Sequence, residues 1–98
     1  MISRIVKMFF EEDKLTDFML IFEDSKLKIR NFEGCQHLQL LRHQNLKNVI
    51  YTYSIWDSVE ALNAYRNSAL FKVTWSKTKV CFCEKPITYT LDQLDWVK

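Results

Sequence analysis

Three side chains of this sequence have types that could serve the chemistry of a flat organic molecule: His37, Trp56 and Trp75. The ordinary pKa of histidine, near ~6.5, lets it take up and release a proton close to neutral pH. His37 could therefore accept a proton from a phenolic substrate, with a hydrogen-bonded surface histidine as the alternative. Each tryptophan could form the wall of a ligand pocket or fill the core. The sequence carries no Ser-His-Asp signature, paired-carboxylate motif or nucleotide-binding fingerprint.

Further candidates for ligand binding lie on the predicted helices. Phe18 and Phe22 belong to an apolar stripe at helical spacing, and Tyr65 follows one turn after Leu62. A stripe that faces a sheet is expected to be apolar, so core packing is the alternative for the two phenylalanines. Arg66 lies near the end of its helix, which favours an interaction with the helix dipole at the surface over binding of a substrate carboxylate.

Metal and cofactor sites are not expected. Cys35, Cys81 and Cys83 are odd in number and lack the CxxC spacing, so they read as reduced thiols, mostly buried. Cys35 and His37, taken to share one face of a strand, supply only half of a usual zinc ligand set. The sequence has a single glycine and a single proline, and therefore no glycine-rich phosphate loop.

Length and charge limit the class of protein. A chain of 98 residues predicts a single domain over residues 1–98, and a net charge of +2 is too small to indicate a nucleic-acid partner. No apolar run approaches the ~20 residues of a membrane span, and the N-terminus MISRIVKMFF lacks the features of a signal peptide. We therefore expect a cytoplasmic protein.

Hydrophobic periodicity predicts alternating strands and helices. The expected elements are a strand over 2–10, a helix over 14–31 stopped by Gly34, strands over 35–42 and 48–56, and a helix starting at Asp57. Asp57 and Glu60 suggest a capping box. A break at Asn67 and Ser68 precedes a further helical piece over 69–79, and Pro86 opens a last strand over 87–91.

This order predicts an α+β, ferredoxin-like βαββαβ fold, in which helices cover one face of an antiparallel four-stranded sheet. If Trp56 faces the helices, the uncovered face carries Tyr51, Tyr53 and Ile55. Such a patch is typical of an interface, and a homodimer formed sheet to sheet would bury it. The C-terminal tail LDQLDWVK could dock on the partner subunit.

Three segments, GCQHLQLL, YSIWDSVEALNAY and SALF, resemble the antibiotic biosynthesis monooxygenase-like domains. The resemblance extends over nearly the whole chain, although its motifs are short. It implies a dimeric α+β barrel made by two ferredoxin-like chains.

One branch of that family contains oxygenases without a cofactor that act on polycyclic phenols. Its motif has an Asn four residues before the Trp and a Tyr six residues after it. Trp56 matches the Trp, whereas the other positions hold Thr52 and Leu62. Thr52 can still hydrogen-bond a substrate oxygen, and Tyr65 could replace the tyrosine. A second branch degrades haem through an iron-bound His. Trp75 stands at that position, and its indole nitrogen is donor only, so haem degradation by that mechanism is not expected.

Two hypotheses follow. The first is a cofactor-independent monooxygenase that acts on an aromatic or quinol-type small molecule in a pocket between sheet and helices, with His37, Thr52 and Trp56 as candidate catalytic residues. The second is a non-catalytic small-ligand-binding or structural homodimer of the same fold. The replaced motif positions favour the second, and the aromatic residues around Trp56 and Trp75 favour the first.

Overall fold

The computed structural model describes residues 1–98 and contains a four-stranded sheet with three α-helices. In chain order the elements are β1 (Ile2–Phe10), a 3₁₀ turn (Glu12–Lys14), α1 (Leu15–Arg30), β2 (Cys35–Arg42), β3 (Val49–Trp56), α2 (Val59–Arg66), α3 (Ala69–Lys79) and β4 (Phe82–Asp92). The strands lie in the order β2-β3-β1-β4, and all neighbouring pairs are antiparallel. The predicted α+β, ferredoxin-like fold is confirmed, as are the bounds of β2 and α3.

The core lies between the helices and one face of the sheet, in two clusters. One cluster joins Val6, Met8 and Ile50 of the sheet to Phe18 of α1. The other joins Ile2, Cys35, Trp56 and Leu62. Even-numbered residues of β1 and β3 thus face the helices, because side chains alternate along a strand and the paired register keeps Ile2 opposite Trp56 and Met8 opposite Ile50.

The start of α2 differs from the predicted capping box. Ser58 has an extended backbone, and its Oγ accepts a hydrogen bond from the Ala61 backbone N–H at 3.1 Å, so Ser58 and not Asp57 is the N-cap. Asp57 is engaged elsewhere: its backbone N–H donates to the Gly34 carbonyl and its carboxylate accepts from the Gln36 amide, both at 2.9 Å. A tertiary contact therefore shifts the cap by one residue.

β4 begins at Phe82, several residues before the predicted start at Pro86. Lys7 pairs with Ile87 and Phe9 with Glu84, so Pro86 lies at a register shift. β4 is an edge strand, and a bulge on an edge strand tolerates the missing N–H of proline.

A second register shift changes the faces of β2. Cys35 pairs with Trp56 whereas His37 pairs with Ile55, so Cys35 packs under the helices and His37 lies on the opposite face. The expectation that Cys35 and His37 share a face is wrong, because the strand contains an extra residue there. All three cysteines are free, with Cys35 and Cys81 buried and Cys83 exposed.

None of the helices is both long and apolar enough to cross a membrane.

Candidate functional site

A cavity of about 290 Å³ lies between the sheet and the helices. Its lining includes residues of both core clusters, such as Val6 and Trp56. This volume lies near the lower end of the range for small-molecule sites, which begins at roughly 300 Å³. The cavity is therefore suited to a small ligand.

The floor of the cavity is a polar strip on the face of the sheet that carries the core. Arg4, Thr52, Ser54 and Thr88 all line it. Arg4 pairs across the strands with Ser54, and Val6 pairs with both Thr52 and Thr88, so these side chains are neighbours. Positions that face helices are normally apolar. A run of polar residues there indicates a surface that meets a ligand or water rather than a close-packed core.

The helices contribute an aromatic wall. Tyr65 of α2 stacks on Trp56, with ring centroids 4.8 Å apart, and makes an edge contact with Phe71 of α3 at 5.2 Å. Phe71 in turn stacks on Trp75 at 5.8 Å with 10° between the ring planes. All four rings line the cavity. Flat apolar ligands bind well against such surfaces, because aromatic rings offer large contact areas.

Six residues predicted from the sequence meet in this cavity, and one does not. The lining includes Phe18, Phe22, Thr52, Trp56, Tyr65 and Trp75. His37 lies on the other face of the sheet, where its Nε2 is 3.1 Å from Gln39 Oε1 and its ring is 5.3 Å from that of Tyr53. The structure therefore does not bring His37 to the site that the other candidates form.

Trp56 serves both the core and the cavity. Only 1% of its surface is exposed, and its Nε1–H donates to Ser54 Oγ at 2.9 Å. Because this donor is occupied within the protein, a ligand meets the ring of Trp56 and not its N–H group. The Ser54 hydroxyl proton remains available to a ligand, since Ser54 Oγ acts as acceptor in that bond.

Tyr65 provides a neutral phenol. Burial, followed by the nearby Cys35 and opposed by Arg4, raises the pKa of Tyr65 to about 12. The phenol stays protonated near neutral pH and can donate a hydrogen bond. Leu62, at the motif position of the tyrosine, is only 2% exposed and belongs to the core, so Tyr65 one turn later is the tyrosine that lines the cavity.

Two arginines in the lining were missed as site residues. Arg4 had no assigned role, and Arg66 was expected at the surface near its helix end. Arg4 lies on the same face of β1 as Ile2, Val6 and Met8. A positively charged residue among these apolar alternate positions was the sequence feature that could have identified Arg4 as a site residue. Arg66 is exposed at the end of α2 but also lines the cavity.

A family model described as antibiotic biosynthesis monooxygenase matches residues 1–75. The chain belongs to this family. The resemblance stated from the three short segments is thereby confirmed. No curated protein matches the chain in sequence.

Several solved structures share the fold of this chain. A protein from Caulobacter crescentus CB15, described as an antibiotic biosynthesis monooxygenase, is 22% identical to this chain. The two structures have a TM-score of 0.90, and the match covers 96% of this chain and 90% of the other. Rv0793 from Mycobacterium tuberculosis is 14% identical, with a TM-score of 0.90 over 99% and 98% of the two chains. A conserved protein from Methanosarcina mazei Go1 is 16% identical, with a TM-score of 0.88 over 92% and 89%. At these identities the similarity establishes the fold and not the substrate.

Proposed function

We propose that the protein is a cofactor-independent monooxygenase that acts on an aromatic or quinol-type small molecule in the cavity. The observation that carries the proposal is the cavity between sheet and helices, which reaches both Trp56 and Trp75 and has Thr52 on its floor. Membership of the antibiotic biosynthesis monooxygenase family supports the same reaction class.

The proposed reaction draws its electrons from the substrate. An ionised anthrone-type substrate passes one electron to O₂, and the resulting radicals combine into a peroxide. One oxygen atom stays on the substrate as a carbonyl, and the other leaves as water with two hydrogens from the substrate. The protein binds the substrate oxygen through the Thr52 hydroxyl or the neutral Tyr65 phenol and excludes water with its aromatic wall.

The alternative function is binding of a small ligand without catalysis. The cavity lining contains no histidine, lysine or carboxylate that could act as a general base, and His37 is on the other face of the sheet. This observation favours a protein that retains a ligand site without turnover. Both functions place the ligand in the same cavity.

We also propose that the open face of the sheet joins a second copy of the chain. Tyr51 and Tyr53 are half-buried there, whereas Ile55 is only 3% exposed and adds little surface of its own. Three exposed residues of β4, namely Ile87, Tyr89 and Leu91, pair with Lys7, Ile5 and Ser3 and so extend the patch across the sheet. A contiguous apolar face of this kind favours an interface.

Oxygen consumption with anthrone- and quinol-type compounds tests the catalytic proposal. We expect uptake by the wild type and a clear loss in Thr52→Val, which keeps the shape of the side chain but removes its hydroxyl. Thr16→Val is the matched control, because Thr16 is exposed on α1 and does not line the cavity. Binding of these compounds without any oxygen uptake would reject the monooxygenase and support the ligand-binding alternative.

A further inference from the structure

The cavity contains two guanidinium groups that lack an acidic partner. Arg4 projects from β1 into the polar floor, and Arg66 comes from the last turn of α2. The ion pairs of the chain join Lys14 to Glu11 and Lys26 to Glu23, and neither involves an arginine. Arg4 donates instead to the neutral Thr90 hydroxyl at 3.2 Å.

The charge of Arg4 is costly where it lies. Arg4 is half-buried at a position that faces the helices, and a charge removed from water needs a charged or polar partner. Burial and, second, the positive charge of Arg66 lower the pKa of Arg4 from its ordinary value. Arginine nevertheless stays protonated in proteins. The positive charges of Arg4 and Arg66 therefore repel each other, and no negative charge in the cavity lining offsets them.

The cavity lining as a whole carries positive charge and no negative charge. It holds these two arginines and no aspartate or glutamate, while its other polar members are hydroxyl groups. The helix dipole gives Arg66 a favourable position at the C-terminal end of α2. The dipole does not account for Arg4, which lies within a β-strand. A negative charge supplied by a ligand would balance both groups.

We infer that the cavity binds a small aromatic anion, with its oxyanion between Arg4 and Arg66 and its apolar body against Phe71 and Trp75. This inference rests on the proposed function, since it concerns the same cavity, and it names the class of ligand. The anionic group is a carboxylate or an ionised phenol or enol. Guanidinium groups suit all of these, because their planar N–H donors form charge-assisted hydrogen bonds to oxyanions.

The inference also accounts for the lack of a base in the lining. A paired cationic site binds the ionised form of an acidic ligand directly from solution and lowers the pKa of that ligand in the complex. The proton then goes to water before or during binding, so no side chain of the cavity has to accept it. Tyr65, which is a neutral donor, can add a hydrogen bond to the same oxyanion.

Calorimetric binding of matched anionic and neutral compounds tests the inference. The carboxylate arm compares naphthoate with naphthamide. The enolate arm compares a hydroxynaphthoquinone, which is ionised at neutral pH, with its methyl ether. We expect the wild type to prefer the anion in at least one arm by about tenfold or more, as a charge-assisted hydrogen bond gives. The arm with the larger preference identifies the oxyanion.

The variants Arg4→Gln and Arg66→Gln should each reduce the preference for the anion while leaving the affinity for the neutral compound nearly unchanged. Arg42→Gln is the matched control, because Arg42 is exposed on β2 and does not line the cavity. Arg66 is exposed, so its variant should fold even if Arg4→Gln does not, and Arg4→Lys keeps a positive charge at the buried position. The preference should also weaken as the salt concentration rises.

The outcomes separate this inference from the proposed function. Preferential anion binding that depends on Arg4 and Arg66 supports the inference even if no oxygen is consumed, in which case the monooxygenase alone fails. Equal affinity of the wild type for anion and neutral compound overturns the inference and leaves the monooxygenase standing. A preference that survives both Gln variants also overturns it. Failure of every compound to bind rejects the cavity as the ligand site for either proposal.

Discussion

The rings of Trp56 and Tyr65 stack against each other, with their centroids 4.8 Å apart and their planes inclined by 22°. Trp56 ends β3, and Tyr65 lies in the last turn of the helix that follows. The stack therefore fixes α2 to the sheet and at the same time forms part of the cavity wall. Stability and ligand binding are coupled at this pair, so variants here need a stability measurement beside any functional assay.

Trp56→Ala should lower the free energy of unfolding by about 3–5 kcal/mol, because it removes a ring that is only 1% exposed and leaves a void against Tyr65. Trp56→Phe should cost less, since it keeps an aromatic contact. Urea denaturation measures both. Trp96→Ala is the control, because Trp96 is 63% exposed. Equal stability of Trp56→Ala and Trp96→Ala would contradict a core role for Trp56.

The hydrogen bond from Trp56 Nε1 to Ser54 Oγ predicts non-additive effects. Ser54→Ala should cost roughly 1–3 kcal/mol, because the indole N–H is then buried without a partner. In a Trp56→Phe background no N–H is present, so the same substitution should cost clearly less. A double-mutant cycle by denaturant unfolding measures the difference. Identical costs in the two backgrounds would show that the bond contributes nothing.

Local patterns predicted the elements that form the site, and tertiary pairing decided the details. Ser68 caps the N-terminus of α3, and an apolar stripe at helical spacing continues along the helix, so the extent of α3 was predictable. The N-cap of α2 was not, since Asp57 and Ser58 are both good caps and only the contact of Asp57 with Gly34 and Gln36 distinguishes them. That contact joins residues distant in sequence.

The side of the sheet on which a residue lies was the second limit. Phe18, Trp56 and Trp75 were candidates for a pocket between sheet and helices, and all three line the cavity, because helical stripes and strand alternation are local properties. His37 was placed on one face with Cys35 because an even register was assumed, and the irregularity after Cys35 reverses it. A bulge adds a single residue and leaves little trace in composition.

Gly34→Ala should destabilise the protein through two separate effects. Gly34 has φ of +89°, where an L-residue costs about 1–2 kcal/mol, and an added Cβ would lie 2.5 Å from Cβ of Ala61. Ala61→Gly alone should cost up to about 1 kcal/mol through lost helix propensity. Together the two substitutions should cost less than their sum, because the steric conflict is removed while the backbone cost remains. Thermal unfolding of the three variants checks this, and strict additivity would exclude the contact.

The apolar open face predicts self-association of the chain. We expect a mass of two chains in sedimentation at micromolar concentration. Tyr53→Glu should shift the protein toward the monomer, because the charge would be buried in the interface. Glu60→Lys, an exposed change on α2, should leave the mass unchanged. A monomeric wild type at micromolar concentration would refute the proposed dimer.

The raised pKa of Tyr65 makes stability depend on alkaline pH with a defined sign. Below about pH 10 the phenol is protonated in both the folded and the unfolded chain, so this group contributes no change. Between the ordinary value of 10.0 and the folded value of about 12, the unfolded chain releases its proton while the folded chain retains it. The free energy of unfolding should therefore fall by roughly 2–3 kcal/mol over that range and then level off. Urea unfolding measured across this range, compared with Tyr65→Phe, isolates the effect because the other titrating groups are common to both proteins. Parallel pH profiles for the two proteins would mean that Tyr65 titrates like an exposed tyrosine and does not lie against Trp56 as a buried neutral donor.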